Sequence, residues 1–171
     1  MANCIFNNRH EMKKLILFAS ALMLCIFASA QDGREFYHKY SDAPGVSAVY
    51  FSPAMFRVLR HIPDVKVGAD ELNLTPIIKS LTGMYMLSST NPSVNDRMYR
   101  DIAKHIKNNH FELLMEAKDN GEAIKIYTLG DEHIVTNLVL YSDSSYESNY
   151  ICIDGKMPRA AIEEALVKAN L

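Results

Sequence analysis

Apolar residues recur along this chain with two different periods, and the point where the period changes divides it. From Phe111 to Gly155 the sequence reads FELLMEAKDNGEAIKIYTLGDEHIVTNLVLYSDSSYESNYICIDG, apolar runs separated by turn residues. Alternation at period two marks half-buried strands. Asp119-Asn120-Gly121 is a strong hairpin turn, Gly130-Asp131-Glu132 a second turn, and the polar run Asp143 to Ser148 a longer loop. The stretch therefore predicts a four-stranded antiparallel meander, with strands beginning at Phe111, Ala123, His133 and Asn149.

Before Phe111 the spacing is mostly helical. Asp32-Gly33-Arg34-Glu35 has the form of a capping box and predicts a short helix burying Phe36, Tyr37 and Tyr40. Val46 to Phe51 is a β-rich run. Ser52-Pro53 and Asn91-Pro92 each place a capping side chain before a proline, which starts a helix. The first of these helices buries Met55, Phe56, Leu59 and Ile62. The second is the longest, with a buried stripe of Val94, Met98, Ile102 and Ile106 and a basic face of Arg97, Arg100, Lys104 and Lys107. Asp101, one turn on, is placed to pair with Arg97.

Between those helices Asp64 to Asn73 reads as a loop, Leu74 to Leu81 as a short helix and Gly83 to Ser88 as a strand. A last helix starts at Pro158 and buries Ile162, Ala165, Leu166 and Ala169. Helices early and consecutive strands late predict an α+β fold, an antiparallel sheet with the helices packed mainly on one face.

The two faces of the meander are both rich in apolar residues. If Phe111, Leu113, Met115, Ile124, Ile126, Leu138, Leu140, Ile151 and Ile153 face the helices, alternation sends Leu114, Tyr127, Val139, Tyr141, Tyr150 and Cys152 to the other side. An open sheet face should be polar. This one is half apolar and carries three tyrosines beside Lys125. Tyr127, Tyr141, Tyr150, Lys125 and Val139 are thus the candidate interaction surface, for a protein partner or a second copy of the chain. The alternative is that the early strands or the Asp64 to Asn73 loop cover that face.

The N-terminus bears on where the chain works. Met12-Lys13-Lys14 is a positive n-region, Leu15 to Phe27 an apolar h-region and Ala28-Ser29-Ala30 a small-x-small cleavage site. Residues 1–30 are read as a secretory signal, complete even if translation starts at Met12, and residues 31–171 as one domain. The apolar run from Leu15 to Ala30, 16 residues, is shorter than the roughly 20 residues of a spanning helix, so no stable membrane span is expected after cleavage. The reading implies export, to the periplasm or beyond. Removing Arg9, Lys13 and Lys14 from the 18 basic residues and Glu11 from the 20 acidic ones leaves a mature charge of about −4. Nucleic acid is a poor partner for such a chain. Only Cys152 remains in the mature part, inside an apolar run, where it reads as a small buried hydrophobe.

Signatures of chemistry are sparse. There is no G-x-S-x-G elbow, no phosphate-binding glycine loop and no H-E-x-x-H. No two of His38, His61, His105, His110 and His133 have the i, i+4 spacing of a helical metal pair. No cofactor, metal or catalytic residue is nominated.

The order of several apolar motifs resembles a known family. These are Lys39-Tyr40-Ser41-Asp42, Val49-Tyr50-Phe51-Ser52 with Ala54-Met55-Phe56, Phe111-Glu112-Leu113-Leu114-Met115, Gly121 with Ile126-Tyr127, Leu138-Val139-Leu140, and Ile153-Asp154-Gly155. Over Phe36 to Leu166 the chain is similar to the exported bacterial proteins grouped as domain of unknown function 4252. The resemblance implies export in Gram-negative bacteria and a compact α+β domain, and brings no activity or catalytic residue with it. The expected function is a non-catalytic protein-interaction or self-association module of the cell envelope. The alternative is a small-ligand-binding protein or an enzyme with a loop-borne site near His105 and His110 or Asp64 to Asn73.

Overall fold

Both cap-plus-proline signals start helices where the sequence places them. In the computed structural model, which describes residues 32–61, 65–67, 72–119, 121–144 and 146–168, helix α1 spans Asp32–Tyr40, β1 Val46–Phe51 and α2 Pro53–Leu59. The Ser52 hydroxyl accepts from the Met55 amide at 3.4 Å to open α2. The short strands β2 (Lys66–Val67) and β3 (Leu72–Asn73) follow, then α3 (Thr75–Ser80), β4 (Leu81–Ser89) and α4 (Pro92–Asn108). At α4 the Asn91 side chain accepts from the Ser93 amide at 3.1 Å. The chain continues through β5 (Glu112–Asp119), β6 (Glu122–Gly130), β7 (Ile134–Asp143), β8 (Ser148–Pro158) and α5 (Arg159–Lys168). The expected leader, and Ile62, Asp64 and Ala169, lie outside the described residues.

The meander forms as expected, and β4 and β1 extend it. One antiparallel sheet has the order β1-β4-β8-β7-β6-β5. Part of the stretch read as a loop instead pairs with itself: β2 and β3 form a separate two-stranded hairpin, Lys66 opposite Asn73 and Val67 opposite Leu72.

Helices pack on both faces of the large sheet, where the sequence predicts them mainly on one. α1 and α4 lie on one face, where Phe36, Tyr40, Val94, Met98 and Ile102 pack with Tyr85, Leu87, Val139, Tyr141, Tyr150 and Cys152. On the other face Phe56 of α2, Ile77 of α3 and Ile162 of α5 pack with Phe51, Met84, Leu138 and Ile153. The cause is in the strands: β4, β7 and β8 are apolar at successive positions, so either face left open would put a large apolar area in water. α1 sits so close to β8 that a Cβ on Gly33 would lie 2.5 Å from the Cys152 sulfur.

Strand β5 departs from simple alternation. The register slips between Leu113 and Met115, so Leu113 stands opposite Tyr127 while Met115 stands opposite Ile126. The extra residue, Leu114, packs into the α2–α3–α5 cluster, not on the tyrosine side. Leu113, expected in the core, is 53% exposed.

Asp101 does not pair with Arg97 as the helical spacing predicts. α1 crosses near enough for Lys39 to donate to Asp101 at 2.6 Å and Tyr40 at 2.5 Å. These hydrogen bonds, Lys39 first, hold the Asp101 carboxyl below its ordinary value of 3.8. A carboxylate with a depressed folded pKa stabilises the fold above its unfolded pKa, and the contribution disappears as pH falls through the folded value. Asp101→Asn should therefore lower the thermal midpoint at neutral pH and flatten its decline below pH 3.8. Equal acid sensitivity of variant and wild type would refute the pairing.

α4 ends in a six-residue closing turn. Phe111 donates to the Ile106 carbonyl at 3.1 Å and His110 to that of Lys107 at 3.5 Å. His110 takes the left-handed position, φ 57°, where glycine is usual. On conformation alone His110→Gly should stabilise the protein by about 0.5–1 kcal/mol in urea unfolding; a loss would mean that the imidazole holds the turn.

Candidate functional site

Of the five residues expected to form an interaction surface, three are core. Val139 is 0% exposed, Tyr150 1% and Tyr141 4%. The Phe36 ring of α1 lies 4.5 Å from that of Tyr150, and α4 covers the Tyr141 side of the same face. The open tyrosine face is overturned, because helices α1 and α4 cover it. Tyr127 and Lys125 remain half-buried.

The structure brings Tyr127, Tyr141 and Lys125 together in another way. With Tyr99, Lys107 and His110 they line a cleft of about 250 Å³ between the C-terminal half of α4 and strands β6 and β7. The strands supply Lys125, Tyr127 and Tyr141, while α4 adds Ile102, Ala103 and Ile106, and Phe111 follows at its end. Tyr99, Ala103 and Lys107 recur at i, i+4 and i+8, one ridge beside the buried stripe. The turn at His110 then brings the chain back under the helix, so that Phe111 packs with the core.

The polar groups of the cleft are mainly hydrogen-bond donors. The Tyr99 and Tyr141 rings stand 6.2 Å apart. Burial pushes the Tyr141 hydroxyl up to about 12, which keeps it protonated. Lys125 donates to Glu116 at 3.2 Å, and that hydrogen bond raises its pKa. Glu116 is shared, with Lys118 also at 3.2 Å, and the two lysines, Lys118 first, lower its pKa. Lys107 has no ion pair among the described residues, and none of the described residues lining the cleft is a carboxylate. Two ammonium groups, an imidazole and the phenols of Tyr99 and Tyr127 around apolar walls, with the Tyr141 ring below and its hydroxyl sealed, suit an acceptor carried on an apolar body.

His105 and His110 prove to be near this site, as the loop-borne alternative supposes, with unequal roles. His110 lines the cleft and is exposed. His105 points its Nδ1 to the side-chain amide nitrogen of Asn109 at 3.1 Å and packs its ring 5.3 Å from Phe111, so it supports the wall. The described part of Asp64 to Asn73 is the small hairpin. It is tied to α3 where Thr75 accepts from the Val65 amide at 2.9 Å.

In the sequence Lys107 belongs to the wet basic face of the helix and Tyr99 to neither stripe nor basic face, so neither stands out as a site residue. The signal was their shared ridge, which becomes meaningful only once β6 is known to lie beneath it.

A second cleft, of about 400 Å³, lies between α1 and α4, lined by Lys39, Tyr40, Ala43, Arg97, Arg100 and Asp101. Its one carboxylate is already engaged by Lys39 and Tyr40. Among the described residues no group of three or more His, Cys, Asp or Glu side chains is placed to hold a metal ion. No helix among them is long and apolar enough to cross a membrane.

Comparison with known proteins places the chain in a family without an assigned activity. A solved structure of a protein of unknown function from Pseudomonas aeruginosa is similar at 14% identity, over 75% of this chain and 83% of that one, with a TM-score of 0.32. No curated protein matches. The sequence pattern described as Domain of unknown function (DUF4252) matches residues 40–165, most of the part read as the mature domain. The motif order noted in the sequence is therefore that of the family, and the chain belongs to the DUF4252 family.

Proposed function

We propose that the chain is an exported, non-catalytic binding module of the cell envelope, and that the cleft between α4, β6 and β7 holds a small ligand. The convergence of Tyr99, Tyr127, Tyr141, Lys107, Lys125 and His110 on one cavity carries this reading. Export rests on the leader pattern of residues 12–30. The test uses the mature chain and Ala103→Trp, which fills the cleft from an exposed helix position. Amide spectra recorded with pooled small aromatic and aliphatic compounds should shift around Tyr99 and Tyr127 in the wild type and stay still in the variant. Shifts confined to other surfaces, or unchanged by the tryptophan, would sink the cleft as the site. Intact mass of the protein from host envelope fractions should begin at Gln31; a retained leader would refute cleavage there.

A second reading keeps self-association but moves it to the opposite face. There Val49, Met86, Ile151 and Leu140 form one row across β1, β4, β8 and β7. At its ends Val49 is 47% exposed and Ile124, on β6 one row away, 41%. A second copy would bury this row by the same face on both partners. Sedimentation should then show a dimer that Val49→Lys dissolves; a monomer at high concentration would end this reading.

A further inference from the structure

We infer that the ligand of the α4–β6–β7 cleft is a small aromatic acid, a single planar ring bearing one carboxylate. This rests on the reading of the cleft as a ligand site and names what fills it. Size comes first. An apolar cavity of about 150 Å³ holds benzene, so about 250 Å³ has room for one ring and a polar substituent but not for a larger cofactor. Shape comes from the walls. Tyr99, Tyr127 and Tyr141 offer ring surfaces from both the helix and the sheet, and planar bodies stack on such surfaces.

Charge gives the class. Lys107 brings a full ammonium with no ion pair among the described residues, and Lys125 shares its one carboxylate with Lys118. Lys107, Lys118 and Lys125 against Glu116 leave two positive charges, on a chain whose net charge is −2. Lys118 lies outside the cleft lining with its side chain in water, so one anionic group between Lys107 and Lys125 meets the charge that faces the cavity. A phosphate is better matched by arginine forks, and the arginines of α4, Arg97 and Arg100, line the other cleft. His110, an exposed donor at the mouth, can hydrogen-bond a carboxylate without needing to be charged.

The test titrates the mature chain with benzoate and with benzamide, the same ring without the charge, reading amide shifts of cleft residues. Benzoate should bind about tenfold more tightly than benzamide, the size of one charge-assisted hydrogen bond. Lys107→Met and Lys125→Met should each weaken benzoate by about that factor and leave benzamide unchanged. Glu116→Gln frees Lys125 and should strengthen benzoate, which guards against a Lys125 variant that merely loosens β6. Equal binding of acid and amide in the cleft, or benzoate binding indifferent to both lysines, would overturn the acid and leave the cleft standing. Folded protein whose cleft resonances respond to neither probe would count against the acid, and failure of the pooled compounds as well would remove the cleft.

Discussion

Tyr150→Ala should cost about 3–5 kcal/mol of unfolding free energy, the range for removing a fully buried aromatic side chain. Tyr150 is 1% exposed and heads the largest fully buried side chains. It stands in β8, opposite Leu87 of β4 on one side and Tyr141 of β7 on the other, with the Phe36 ring over it. The truncation therefore opens a void where the sheet meets α1, and rigid strands on both sides limit collapse into it. Domains of this size have only about 5–15 kcal/mol in total, so the variant should be partly unfolded or close to it at growth temperature. The control is Tyr146→Ala in the loop before β8, where the ring is 84% exposed and little should change. If Tyr150→Ala unfolds in urea within about 1 kcal/mol of wild type, the side chain is not the core element described.

Gly155→Val should be comparably damaging, by about 3 kcal/mol, for a different reason. Gly155 pairs with Leu81, at the point where α3 passes directly into β4. A Cβ there would lie 2.7 Å from the Ser80 carbonyl oxygen and 3.1 Å from the Leu81 Cα. Both neighbours are main chain, so no side chain can rotate out of the way. The strands must part instead, and β4–β8 hydrogen bonds are lost with them. Gly155→Ala should show a smaller loss of the same kind, while Lys156→Val on the exposed side of the strand should be nearly silent. A full-strength thermal transition in Gly155→Val would show that α3 and β8 do not meet this closely.

The elements were largely legible because their signals are local. Ser52-Pro53, Asn91-Pro92 and the Asp119 to Gly121 turn each fix a boundary within a few residues, and the structure respects all three. Strand order was not legible, since β4 pairing with β8 depends on contacts some seventy residues apart in sequence. The same gap explains the misplaced surface. Alternation correctly separated Tyr127, Val139, Tyr141 and Tyr150 from Leu138 and Ile153, but it cannot say which face α1 and α4 choose. Both faces of the strands are apolar, so the pattern was symmetric where a decision was needed. The bulge at Leu114 is similar, one extra residue in β5 that only the register against β6 reveals. The cleft was half visible. Alternation puts Lys125, Tyr127 and Tyr141 on one face of neighbouring strands, while Tyr99 and Lys107 become their neighbours only through packing.

The place of β8 in the sheet has a kinetic consequence. The last strand in sequence is not at the edge but third in the order, holding β4 on one side and β7 on the other. During synthesis α1 to α4 can form locally, yet β4 and β1 have no sheet to join until Ser148 to Pro158 has emerged. Closure then spans most of the domain at once, the kind of non-local step that makes folding slow. Until that moment the chain presents an unpaired β4 edge and the apolar faces of the other strands. A chain interrupted before Ser148 should therefore be bound by chaperones or degraded, not stored as a smaller folded unit.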